Sequence, residues 1–398
     1  MAALLLTSMV WSGHAQEKNE MDLSGEWAFQ TDVMDFRRGS LDVRYCHRLQ
    51  ESIVLPGITD DYKIGYKSPY RHLDRLTRVY EYMGPAWYQR EIEIPAAWKG
   101  KRIFLYFERT HWLSSVYVGK EEVSKIDYIS IPHNHELTQW LHPGKKELIT
   151  FCIDNRYQYD THKWDHAHSE FTQINWNGVL GEIKLVAVDP VYVDDMQVYP
   201  DIKNKSIKVK MTVRNCTEHT ASGKISFHVS GKDYRLQKEV PVTVTDSITY
   251  IEEEMFLSKD IHLWNEFHPN LYTLDCKLTS SVEGQSYAHE KSTTFGMREV
   301  EAGEDHIILN GEPIHLRGTV ENAVFPKTGY APVDDASWER VLRILKEYGM
   351  NHMRFHSWCP PAAAFRMADK LGVYLEVEMP MWGKDCLLYT SDAADDKA

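Results

Sequence analysis

The chain has 398 residues, with 45 Lys and Arg against 58 Asp and Glu, for a formal net charge of −13. That length allows roughly two to four domains. A content of 43% hydrophobic and 26% charged residues excludes wholesale disorder and collagen-like repeats. A nucleic-acid partner would need a basic footprint, and the local basic residues Arg37, Arg38, Arg71, Arg75 and Arg78 do not offset the negative balance.

From the N-terminus, the apolar run Ala2 to Trp11 precedes Gly13-His14-Ala15. Residues 1–15 therefore read as a signal-peptide remnant clipped of its basic start, with export to the periplasm or the medium as the expectation. No run reaches the roughly 18–20 apolar residues of a membrane span. The cysteines at 46, 152, 216, 276, 359 and 386 lie far apart with no CxxC pair, so neither a disulfide scaffold nor a zinc ribbon is expected.

Residues 20–190 alternate in short β-branched and aromatic runs, such as Trp87 to Ile94, Arg102 to Phe107, Ser115 to Val118 and Glu147 to Phe151. Turn signals at Gly57, Gly84-Pro85, Lys99-Gly100 and Pro143-Gly144 separate such runs, which predicts a β-sandwich. Residues 191–297 repeat the pattern over about 100 residues, the size of an immunoglobulin-like sandwich. From residue 298 the pattern changes to strand and helix in turn. Ile314 to Thr319, His352 to His356 and Val373 to Glu378 read as strands. Asp334 to Tyr348 and Pro360 to Leu371 read as helices, the first with Trp338, Val341, Leu342 and Leu345 on one stripe. This order predicts parallel βαβ units over 298–386. Residues 387–398 carry no periodicity and look non-native.

Alternation within the predicted strands places His315, Arg317, Thr319 and Glu321 on one face, with His352, Arg354 and His356 beside them and Tyr374, Glu376 and Glu378 beyond. Pairing of Arg354 with Glu376 or Glu378 is expected, because buried charges require partners. A second polar cluster, Asp160, His162, Asp165, His166, His168 and Glu170, matches no closed metal-site spacing and reads as a solvated loop. Trp112, Trp140 and Trp164 read as packing residues.

Several segments, in order, resemble glycoside hydrolase family 2, the β-galactosidase and β-glucuronidase family. They are Leu23-Ser24-Gly25-Glu26-Trp27, Leu55-Pro56-Gly57, Ala86-Trp87-Tyr88-Gln89-Arg90 and Trp176-Asn177-Gly178 to Gly181. Pro269 to Tyr272, Phe295-Gly296-Met297-Arg298, Leu309 to Gly318, Gly349 to Arg354, Ala368-Asp369 and Glu378-Met379-Pro380 continue the match over residues 20–383. The resemblance implies a jelly-roll-like sugar-binding sandwich, an immunoglobulin-like sandwich and the first three βα units of a TIM (β/α)8 barrel. It implies retaining hydrolysis of terminal β-glycosidic bonds in the full-length enzyme, acting on a glycoside or oligosaccharide. The family's Glu acid/base and Glu nucleophile follow strands four and seven, about 5–5.5 Å apart. Both strands would lie beyond residue 398, so no catalytic residue is expected here and the chain alone is expected to be inactive.

The substrate-binding candidates are Arg354, His356, Glu378 and Glu321 at the barrel mouth, with Glu170 and Asp165 leaning toward it from the first sandwich. No cofactor is called for; a divalent or monovalent metal has no support, and homo-oligomerisation of the full-length enzyme is left open. Two departures blur the sugar. Val320 to Pro326 replaces the family's His-rich stretch, and His356 follows Arg354 one place early. A β-galactoside leads, with a β-glucuronide or β-galacturonide as alternatives; a non-catalytic carbohydrate-binding protein is the reading from another class.

Overall fold

The computed structural model describes residues 19–32, 48–158, 170 and 174–379. The proposed leader, the 387–398 tail, Asp160, His162, Trp164, Asp165, His166 and His168 lie outside the described residues.

The first unit packs two sheets face to face. One has five strands, with Gly178–Val188 between Glu20–Asp22 and Arg102–Thr110; the other has six, centred on Lys146–Asp154 and Pro85–Glu93. Alternation drives this arrangement: Ile103, Leu105 and Phe107 are fully buried on Arg102–Thr110, while Phe104 and Tyr106 lie on its half-exposed side. The core is aromatic, with Tyr88 stacked on Phe151 at 4.8 Å and Trp27 edge-on to Phe151 at 5.0 Å. Trp112 is buried as packing, and the Trp140 indole N–H donates to Glu121.

Two of the resemblance motifs meet at this sandwich's edge. Gly178 pairs with Ile58 and Val179 with Gly57; a Cβ on Gly178 (φ +150°) would lie 2.2 Å from the Gly57 carbonyl oxygen. Asn177 between them donates to the carbonyls of Gly84 and Ile153 and accepts from the Tyr88 hydroxyl. These residues fasten loops, and satisfying such buried polar groups is what holds them in place.

A histidine relay crosses the same core. The Tyr128 carbonyl can only accept, so His133 Nε2 donates to it at 2.8 Å, and His133 Nδ1 then accepts from Ser114 Oγ at 2.6 Å. Ser114 in turn accepts from His135 Nε2, whose Nδ1 accepts from Ser124. Burial lowers His133 to about 4 and His135 to about 3, so both are neutral at pH 7. The unfolded chain takes up these protons near 6.5, before the folded chain does. Stability should therefore fall as pH drops from about 7 toward 4, by at most about 1.4 kcal/mol per pH unit for each histidine. Urea midpoints read by Trp fluorescence should be lower at pH 5 than at pH 7.5, with a smaller gap in His133→Gln/His135→Gln. Equal gaps in the two proteins would contradict this.

The second unit is a seven-strand sandwich. A three-strand sheet, Val191–Asp201, Ser206–Asn215 and Ile248–Phe256, packs on a four-strand sheet containing Ala221–Ser230 and Tyr272–Val282. After a small antiparallel sheet (Val300–Ala302, Ile307–Leu309, Glu312–Ile314) comes a parallel sheet of Gly318–Glu321, His352–Phe355 and Tyr374–Val377. Helices Asp335–Glu347 and Ala362–Leu371 connect its strands, as βαβ grammar requires. Asp334 caps the first helix by accepting from the Ser337 N–H at 2.8 Å. Trp338, Leu342 and Leu345 bury that helix against Met353 and Phe355 of the middle strand.

The expected strand Ile314 to Thr319 is instead split. Glu312–Ile314 ends a hairpin and the parallel strand begins at Gly318. No helix among the described residues is long and apolar enough to cross a membrane.

Candidate active site

The three parallel strands end together, and their C-terminal ends carry a charged cluster. Arg354 pairs with Val320 on one side and Glu376 on the other, so these three share the open face. Arg354 bridges Glu376 at 3.5 Å and makes a closer pair with Glu378. Glu378 also accepts from His356 Nδ1 at 2.7 Å and from the Ser357 backbone N–H at 2.8 Å. Ser357 sits at φ +56°, a strained position for a residue with a Cβ, and it turns the chain just past the strand so that His356 meets Glu378. Burial alone would raise the Glu378 carboxyl. The donors His356, Ser357 and Arg354 outweigh burial and hold it at about 2. Glu378 is therefore ionised at neutral pH and suited to accepting hydrogen bonds, not to delivering a proton. With Arg354 about 40% exposed and Glu376 about half exposed, donors and acceptors face outward together, the pattern that grips vicinal hydroxyls or a carboxylate.

Glu321 stands apart. Val320, not Glu321, is level with Arg354; Glu321 aligns with Phe355 and shares the face turned to the helices. Its two oxygens accept from the backbone N–H groups of Ala323 and Val324 at 3.0 and 3.2 Å. Burial raises it to about 7, against the pull of those N–H groups, and each of its oxygens already holds the loop it caps. The expected common face of Glu321 and Arg354 is thus corrected. Parallel register cannot be read from alternation, and a shift of one residue reverses every side chain.

From the first sandwich, Glu170 is bonded to Arg78 at 3.1 Å, and its backbone N–H donates to the Tyr157 hydroxyl. Asp165 lies outside the described residues. Between this sandwich and the parallel strands lies a cavity of about 60 Å³, bordered by Arg109, His111, Trp176, Tyr330, Trp358 and Cys359. Arg109 donates to the Cys359 carbonyl oxygen at 2.7 Å, which ties the sandwich to the loop following His356. Trp358 donates its indole N–H to the Glu321 carbonyl oxygen, fixing the same loop from beneath.

The second sandwich holds the sheet from below. Trp264 donates to the Asp369 carbonyl oxygen, Arg298 bonds the Asp369 carboxylate at 3.0 Å and stacks over the Trp264 ring at 4.4 Å. Glu266, nearly buried, accepts from Asn351 at 2.6 Å and pairs with Arg317 at 3.4 Å. Sequence reasoning missed Arg109, Trp264 and Glu266 because each finds its partner about 50 to 250 residues away. No short-range pattern marks such residues.

The Glycosyl hydrolases family 2 profile matches residues 191–298, the second sandwich. Among curated proteins, a β-galactosidase of Thermoanaerobacter pseudethanolicus is 23% identical, over 76% of this chain and 40% of its own length. A β-glucuronidase of Sus scrofa is 22% identical over 95% of this chain and 59% of its own. Residues 191–298 thus form a glycosyl hydrolase family 2 domain, in a chain similar along most of its length to β-galactosidases and β-glucuronidases. A Bacteroides uniformis β-glucuronidase structure superposes on 91% of this chain with TM-score 0.72 at 19% identity, covering 42% of that structure's chain. A Ruminococcus gnavus β-glucuronidase does so with TM-score 0.70, covering 60% of its chain. The chain thus spans roughly two-fifths to three-fifths of the length of these relatives.

Proposed function

We propose that this chain supplies the sugar-binding sandwich, the connecting sandwich and the first three strands of a (β/α)8 barrel in an exported, retaining β-glycosidase. The observation that carries the proposal is the Arg354–Glu378–His356 cluster at the C-terminal ends of three adjacent parallel strands. Barrel enzymes keep their chemistry at that end. A purely structural sheet would have little use for a half-exposed arginine with two carboxylates there, which favours an enzyme over a carbohydrate-binding protein. A β-galactoside is the leading substrate, with β-glucuronides and β-galacturonides as competitors. Names of both first kinds occur among the relatives.

The acid/base and nucleophile belong, on this reading, to strands outside these 398 residues. Glu378 is held ionised by its donors and Glu321 is committed to its loop, so neither is offered as a member of the retaining pair. Nitrophenyl β-galactoside, β-glucuronide and β-galacturonide should be turned over by the full-length gene product and by none of the 398-residue chain preparations. Turnover by the 398-residue chain would refute the assignment of the catalytic pair.

A further inference from the structure

The first sandwich carries a feature that the glycosidase reading does not use. Strands Tyr66–Lys67 and Tyr80–Glu81 pair, and the segment between them forms a built hairpin. Thr77 closes its tip by accepting from the His72 N–H at 2.8 Å, and the Ser68 N–H donates to the Val79 carbonyl oxygen. Gly65 (φ +109°) lets the chain pass against the Glu81 carbonyl, where a Cβ would sit 2.3 Å away. Arg78, almost fully buried, anchors the base through two bonds to Asp60 at 2.7 and 2.8 Å, one to Glu170 and one to the Asn175 carbonyl oxygen. Asn175 lies between Ile174 and Trp176, both of which line the cavity beside the strand ends.

This anchored hairpin holds Tyr66, Tyr70 and Leu73 at 66%, 72% and 96% exposure. Three large side chains exposed on so short an anchored element offer a surface for contact. Lys63, Lys67 and Arg71 are exposed among them, and Asp74 is the one acidic residue between 63 and 79. In a chain of net charge −13, this is a local reversal of sign. Tyrosine faces stack on sugar rings, while arginine and lysine pair with carboxylates.

We propose that the 63–79 hairpin binds a polyuronide, a glycan chain whose rings carry carboxylates, beside the strand-end site. The choice of a glycan rests on the glycosidase reading; the anionic character rests on the hairpin's charge. The test is affinity electrophoresis of the 398-residue chain through gels containing polygalacturonate, cellulose-derived neutral glycan, dextran sulfate or single-stranded DNA. Polygalacturonate should retard the chain selectively. Lys67→Gln/Arg71→Gln and Tyr70→Ala should each weaken retardation by about tenfold, whereas Lys203→Gln/Lys208→Gln on the second sandwich, with the same charge change, should not. All these side chains are exposed, and unchanged melting curves would verify folding. Equal retardation by dextran sulfate or DNA, or by every variant, would overturn the proposal, as would a hairpin variant that changes only the sedimentation coefficient. Turnover of nitrophenyl glycosides by the full-length product without polygalacturonate retardation would overturn the hairpin site alone. Retardation without turnover would keep the hairpin site and overturn the glycosidase reading.

Discussion

Replacing Arg354 by Ala in the full-length protein is expected to lower kcat/KM for its preferred glycoside by about 100-fold while leaving the melting temperature little changed. Among the described residues, Arg354 is the one cation that meets both Glu376 and Glu378 on the open face of the parallel strands. Charge-assisted hydrogen bonds are worth about 1.5–3 kcal/mol each, and about 2.7 kcal/mol corresponds to the expected 100-fold. Removing Arg354 also leaves Glu378 with one fewer donor, so its carboxyl should rise from about 2 toward ordinary values. Steady-state kinetics of Arg354→Ala and Arg354→Lys distinguish recognition from scaffolding. Lys keeps the charge but loses the two-pronged geometry, so a partial rescue is expected. Wild-type kcat/KM in Arg354→Ala would remove the cluster from the account.

Replacing Arg78 by Met is expected to destabilise the first sandwich by about 3–5 kcal/mol, the usual cost of breaking a buried ion pair on one side. The Arg78 side chain is 5% exposed and its principal partner Asp60 is 17% exposed. Burial alone would lower the guanidinium's pKa, but Asp60 and Glu170 more than compensate and hold the charge in place. Met would leave Asp60 without its cation and would free the Asn175 carbonyl oxygen. Changing both partners, Arg78→Met/Asp60→Asn, should restore part of the loss, because only the more exposed Glu170 then lacks its cation. Urea denaturation followed by tryptophan fluorescence reads both results. A single-variant loss below about 1 kcal/mol would show the pair to be behaving as an exposed one.

Local patterning made the element types legible. Alternation marked Arg102 to Phe107, which lies in the strand Arg102–Thr110, and the 3.6-residue stripe of Trp338, Val341, Leu342 and Leu345 marked the first helix; both exist as elements of those kinds. The pairing of Arg354 with Glu376 and Glu378 was also legible, because charges on adjacent strands have few other partners. Register was not. Whether Val320 or Glu321 stands level with Arg354 depends on where the first strand begins, and the hairpin Glu312–Ile314 consumes residues that alternation assigns to that strand. Nor was the meaning of the family motifs. Gly57, Asn177 and Gly178 look like chemistry in a list of matches, yet they are close-approach glycines and a buried amide that join loops. Asp369 and Arg298 likewise clasp the second sandwich to a helix. Such roles are set by partners distant in sequence.

The central claim is that the strand-end cluster belongs to a retaining β-glycosidase. Proton NMR of the free sugar as it is first formed from a nitrophenyl β-glycoside by the full-length gene product tests it most directly. The β-anomer is expected to appear first and to mutarotate afterwards. An α-anomer appearing first, or no hydrolysis of any β-galactoside, β-glucuronide or β-galacturonide, would contradict it.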